Sequence, residues 1–286
     1  MARFIKSFSN DAAIQAALDN KELGKPYVAF IEDGQYIDWD GKEASPEGLR
    51  ITNRTSNSGS IVFNKNNNPH NLILKTKVNG GAWSDSIVYS ATTTFTLPAN
   101  SYVEFKGENT SMNNISSNWT ITVDVDFDLS GELIYLISAN TIDELCFKNL
   151  FGSNTHLINA SGLTITGTGK NAYQGLFLNC TNLVSAPKLI AELPLAAAAY
   201  NSMFKGCTSL TTAPDLDFTS IDSNVCAYMF QNCSSLNYVK CLATNRPTQL
   251  SWLQNVSPTG TFVKKAGARW DSGTSGIPTG WTVIEE

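Results

Sequence analysis

Histidine is nearly missing from this chain. Only two occur in 286 residues, His70 in the loop-like run NKNNNPHN and His156 further on. Neither has an acid or a nucleophile at the spacing of a Ser-His-Asp or Cys-His site, so nucleophilic catalysis of that kind is not expected. Charge is also scarce. Charged residues make up 16% of the chain, against about a quarter in ordinary globular proteins. Asn, Ser, Thr and Gly take their place, which suits a polar, uncharged face turned to partners or sugars. The net charge is −5 and the basic pair Lys264-Lys265 is isolated, so nucleic acid is not an expected partner. No stretch reaches the ~18 apolar residues of a membrane-spanning helix, so no membrane insertion is expected. The opening MARFIKSFSNDAAIQ lacks the apolar run of a signal peptide, so general secretory export is not expected.

Cysteine is absent before position 146, and six follow. Cys180, Cys207 and Cys233 lie a whole repeat apart, not two to four residues apart as metal ligands usually do. They read as a buried ladder. Cys226 and Cys241 are less regular, and one disulfide stays open. Asp124, Asp126 and Asp128 superficially resemble a calcium loop, but Leu129 stands where its glycine would be. No phosphate-binding glycine loop and no assignable pair of catalytic carboxylates occurs. The expectation is a protein that is not an enzyme and holds no cofactor or metal.

What is present divides into three parts. Residues 1–46 predict a helix over Ala12–Leu18, capped by Ser9-Asn10-Asp11, then a hairpin of Tyr27–Ile31 and Gln35–Trp39 around Asp33-Gly34. Residues 47–138 predict a β-sandwich-like domain. Its strands are Ser60–Phe63, Asn71–Val78, Thr93–Leu97 and Ser101–Phe105, and one alternating strand whose apolar set runs from Ile121 to Leu129 with its three acids turned to water. Residues 139–286 predict a solenoid with a C-terminal cap. Four segments superpose there: Leu150-Phe151, Asn154 and Leu157; Leu176-Phe177, Cys180 and Leu183; Met203-Phe204, Cys207 and Leu210; Met229-Phe230, Cys233 and Leu236. The phenylalanines and the leucines advance by the same, nearly constant step, so insertions fall between the copies and not inside the motif. One such unit cannot bury its apolar face alone, whereas stacked copies lay Phe on Phe and Leu on Leu. Asn154 takes the cysteine place in the first copy, the place that satisfies backbone groups inside the turn.

The phrases MFKGCTSLTTAPDL and YMFQNCSSLNYVKCLAT resemble the BspA-type leucine-rich repeats of Bacteroidales and their crAss-like bacteriophages. The ending NVSPTGTFVKKAGARWDSGTSGIPTGWTVIEE is similar to the closing segment of that family, and DVDFDLSGELIYLI to the domain before the repeats. The likeness covers about residues 60–286, although long members carry more repeats. It implies a mainly β chain with an α/β solenoid, an N-terminal helix-hairpin, and a role as a surface adhesin or phage virion protein. With no export signal in view, the virion version is preferred: a head-fibre, decoration or tail-associated protein, found on the extracellular particle. Expected partners are capsid or tail proteins, further copies of itself, with a trimer as the guess, and a host-surface glycan or protein. Ile14, Leu18, Tyr27, Phe30, Tyr36 and Trp39 are the candidate virion-docking residues. A bacterial cell-surface adhesin is the alternative, and a glycan-degrading enzyme the alternative from another class. Trp83, Trp119, Trp252, Trp270 and Trp281 are candidates for stacking on sugars or anchoring an interface, although a core role is commoner for any one tryptophan. Trp281 is expected to close the solenoid.

Overall fold

Alternating apolar residues between 48 and 132 bring two sheets face to face. The computed structural model describes residues 46–66, 70–113, 118–138, 141–167, 169–190, 195–218, 224–244 and 249–286. It also describes the backbone of three short strands, β1 (Lys6–Ser7), β2 (Ala29–Phe30) and β3 (Tyr36–Ile37). The sandwich is made by β4 (Leu49–Asn53), β5 (Gly59–Asn66), β6 (Leu72–Val78), β7 (Ile87–Tyr89), β8 (Thr93–Leu97), β9 (Tyr102–Gly107), β10 (Asn118–Val123) and β11 (Phe127–Glu132). One sheet has the order β10-β5-β8, and the other contains β11-β4-β9-β6-β7. All these neighbours are antiparallel. Phe63 of β5 meets Phe105 of β9 across the interior at 5.0 Å between ring centroids.

The alternating run Ile121–Leu129 is not one strand. The chain bends between β10 and β11 and passes from one sheet to the other. Its acids are held by specific partners. Asp124 accepts the Ser60 amide at 2.6 Å, Asp126 faces His156 Nδ1 at 2.9 Å, and Asp128 accepts Arg54 at 2.9 and 3.0 Å.

Beyond β11 the pairing in the larger sheet changes from antiparallel to parallel. β12 (Leu157–Thr166) runs parallel to β11, and β13 (Lys188–Ile190) parallel to β12. The sheet therefore continues across residue 139 into a stack of coils. A second parallel set, β14 (Tyr238–Cys241), β15 (Thr261–Lys264) and β16 (Thr282–Glu285), ends the stack. One cluster of buried apolar side chains runs from Leu49 to Trp281.

The backs of the coils are chains of turns. In the first coil the amides of Cys146, Lys148, Leu150, Gly152 and Asn154 each donate to the carbonyl three residues earlier. The alternate amides, of Leu145, Phe147, Asn149, Phe151 and Ser153, donate to the next coil. Every second amide is thus used within a coil and the others between coils, so the backbone is satisfied without a helix. Every fourth residue takes positive φ: Leu145, Asn149 and Ser153 in this coil, and Asn171, Gly175 and Asn179 in the next. That geometry favours Asn and Gly. It also gives buried pairs a period of four: Cys146-Phe147 then Leu150-Phe151, and Ala172-Tyr173 then Leu176-Phe177.

The expected fold class is corrected on this evidence. Among the described residues there is no α-helix, and the helical content is one 3-10 turn at Leu133–Leu136. The α/β character expected of the solenoid fails because turn amides bond across coils, which an α-helix, spending them internally, cannot do. The N-terminal helix-hairpin is corrected as well: its hairpin pairs as β2 and β3, but β1 joins them in a three-stranded sheet. The described elements there are strands, with β1 parallel to β2 and β2 antiparallel to β3. Residues 12–18, expected to be helical, lie outside the described residues.

Candidate functional site

The repeat side chains are interior. Phe151, Leu157, Phe177, Cys180, Leu183, Phe204, Cys207, Leu210, Phe230, Cys233 and Leu236 are all fully buried. Phe177, Phe204 and Phe230 stack at 5.5 Å spacing. A second column runs Phe147, Tyr173, Tyr200 and then Phe218, which fills the place where the fourth coil has only Cys226. These residues set the shape of the stack and present nothing to a partner. The cysteines form a ladder of thiols, with Cys180, Cys207 and Cys233 each donating to the carbonyl of Phe151, Phe177 or Phe204 at 3.0–3.1 Å. All six cysteines are unbonded to one another and buried. Burial pushes Cys180, Cys233 and Cys241 up to about 12, and Cys207 and Cys226 well above the usual thiol range. Such thiols are poor nucleophiles.

Asn154 does more than serve its own coil. Its Oδ1 accepts the Val123 amide at 3.0 Å, and its Nδ2 donates to Ile121 and Phe151 carbonyls at 2.6 and 2.9 Å. The Ile121 amide donates to the Leu150 carbonyl at 2.7 Å. The open edge of β10 is therefore closed by the first coil. A cysteine, a weak donor and a weak acceptor, would match an amide and two carbonyls less well.

Of the docking candidates, Phe30 and Tyr36 are paired across β2 and β3. Ile14, Leu18, Tyr27 and Trp39 lie outside the described residues. The tryptophans separate clearly. Trp119 and Trp252 are core residues. Trp83 lies over the outer face of the larger sheet, with Lys77 and Lys106 Nζ at 5.1 and 4.5 Å from its ring centre. Its Nε1 donates to Glu47 at 3.2 Å. That bond, with Lys77 and Lys106 nearby, holds the Glu47 carboxyl below its ordinary range. Glu104, fully buried in the same sheet, lies 3.1 Å from Arg50 and 2.8 Å from Lys77.

Trp270 and Trp281 belong to a cleft. Residues 249–256 form a fifth coil, bonded to the fourth through the Tyr228, Phe230 and Asn232 amides. The loop after β15 folds over it. Trp252 Nε1 donates to the Gly276 carbonyl at 2.8 Å, and the Leu253 amide donates to Thr274. Between this loop and β16 lies a cavity of about 580 Å³. Trp270, Trp281 and Pro278 supply its apolar walls, and Arg269, Asp271 and Thr279 its polar rim. Trp270 is half-buried and stacks on Trp252 at 5.5 Å. Trp281 is 7% exposed and donates to the Ser257 carbonyl at 2.9 Å. Both rings are fixed, so the cleft needs no rearrangement to exist.

A smaller cavity of about 340 Å³ has His70 and Glu108 in its wall, and Glu108 is engaged with Ser86 and Lys75. Among the described residues no three His, Cys, Asp or Glu side chains are grouped to hold a metal ion. No described helix is long and apolar enough to cross a membrane. Comparison of the chain with protein-family models, with curated proteins and with solved structures finds no match.

Sequence reasoning read the ending as a closing segment and so missed the fifth coil and its cleft. The signal was faint. Leu253 follows Phe230 at a shorter step than separates the earlier phenylalanines, and Val256 takes the cysteine position.

Proposed function

We propose that the chain is a non-enzymatic virion protein of a bacteriophage, a head-fibre, decoration or tail-associated subunit that displays leucine-rich coils for adhesion to a host surface. The observation that carries this reading is the closed, continuous joint between sandwich and coils. Both sheets of the sandwich run into the first coil, one through β11 and β12 and the other through Asn154, and a single apolar core extends to the cap. Such a unit holds its far end at a fixed distance and direction from whatever grips its near end. The likeness of the repeats to those of phage surface proteins supports the same reading. The segment before Pro46 is the part that grips the particle, and the protein assembles as a homotrimer. Many copies on one particle turn weak contacts into firm adhesion. Peptide mass spectrometry of gradient-purified particles, with sedimentation of the isolated protein, tests this. A multicopy chain on the particle and a trimer in solution are expected. A monomer absent from purified particles would refute the reading.

A further inference from the structure

We infer that the cleft behind the fifth coil is a saccharide-binding site, and that its ligand carries a carboxylate read by Arg269. The inference rests on the adhesion reading above and names the ligand class and the place on the molecule.

Three observations converge. The first is size and rigidity. About 580 Å³ lies within the range of small-ligand sites. Its walls are held by the Trp252–Trp270 stack and by the bonds from Trp252 to Gly276 and from Trp281 to Ser257.

The second is the lining. The half-buried Trp270 ring and Pro278, beside hydroxyl and charged groups, suit a ring that is apolar on one face and polar at its edge, as a pyranose is.

The third is charge. Two cations line the cleft, and they differ. Lys264 is already engaged by Glu285 and by the Ala268 carbonyl at 2.8 Å. Arg269 is exposed at the rim and makes no ion pair among the described residues. A guanidinium presents two parallel donors that match a carboxylate. An uncharged sugar would leave that fork unused.

The test is a glycan array probed with the full chain. It carries neutral, N-acetylated, uronate-terminated and sialate-terminated glycans, with methyl-esterified forms of the last two. Arg269→Gln and Thr279→Trp are run beside the parent. Both positions are exposed, so both variants should fold, and unchanged thermal melting verifies it. Binding is expected only on carboxylate-bearing glycans, at least tenfold weaker on their esters and in Arg269→Gln, and abolished when the tryptophan at 279 fills the cleft. Equal binding to esters overturns the role of Arg269. A blank array, or binding that survives both variants, overturns the site, as does selective binding of peptides. Purified particles are tested in parallel for adhesion to host cells. Adhesion with a blank array means that this inference alone fails; lost adhesion would count against the wider reading.

Discussion

Replacing Asn154 by alanine isolates the joint between sandwich and coils. Three contacts vanish: the Val123 amide loses its acceptor, and the Ile121 and Phe151 carbonyls lose a donor. Phe151 keeps two other donors, the Asn154 amide at 3.3 Å and Cys180 Sγ at 3.1 Å. Two orphans remain, on the edge of β10. An unsatisfied buried group costs about 1–3 kcal/mol, so the variant should lose about 2–6 kcal/mol. That is a large share of a typical stability of about 5–15 kcal/mol. Asn154→Cys, which copies the other coils, can donate once and accepts the Val123 amide only weakly, so its loss should be about half as great. Cys180→Ala removes one weak sulfur bond and should cost least. Urea unfolding followed by tryptophan fluorescence gives the order, and amide exchange at Val123 reports the edge itself. A loss below about 1 kcal/mol for Asn154→Ala, with Val123 still protected, would refute the claim that this side chain closes the joint.

Other expectations concern the stack. Tyr173 donates to the Thr166 carbonyl at 2.8 Å, whereas the buried Tyr200 hydroxyl has no partner among the described residues. Tyr173→Phe should therefore lose about 1 kcal/mol and Tyr200→Phe should lose nothing or gain, as thermal unfolding will show. Gly175 has φ +62°, and a Cβ there would collide with Asn149 Oδ1. Gly175→Ala should lose at least about 1–2 kcal/mol from the backbone alone, and adding Asn149→Gly, which tolerates the positive φ there, should relieve the clash but not the backbone strain at 175. Raised thiols keep their stabilising effect below pH 9 and lose it as pH climbs toward 12. Each contributes about 1.4 kcal/mol per pH unit over that interval, about 4 for Cys180, Cys233 and Cys241 together. The urea midpoint should fall steeply from pH 9 to 10, and the native protein should resist thiol reagents at pH 8.

Much of this architecture was legible because it rests on spacing. Phe151, Phe177, Phe204 and Phe230 recur at a nearly constant step because each coil must set its ring on the last. The strands of the sandwich announced themselves by alternation. The turn backbone did not, although its marks were present. Pairs such as Cys146-Phe147 and Leu150-Phe151 repeat every four residues, and Asn149, Asn179 and Gly206 stand where positive φ is needed. A period of four lies close to the helical 3.6, and over a single coil the two are hard to separate. The bend at Asp124 escaped because alternation continues through it, while Ser60 and His156, which fix it, are distant in sequence. The role of Asn154 was half visible. Its place in the repeat indicated a buried polar group, but its partners Ile121 and Val123 appear only in space. The cleft was hidden for the same reason, since Trp252 and Trp270 are separated by β15 and meet only when the loop after it folds back.

The central claim is that a rigid sandwich-and-coil unit is gripped at its near end and displayed. Its most direct test is to remove residues 1–45, keep Pro46 onward, and ask whether the protein joins the particle. The account predicts that the shortened chain folds, with buried thiols and the tryptophan emission of the parent, and no longer attaches. Attachment at the parent's level would place the grip in the sandwich or the coils and contradict the account.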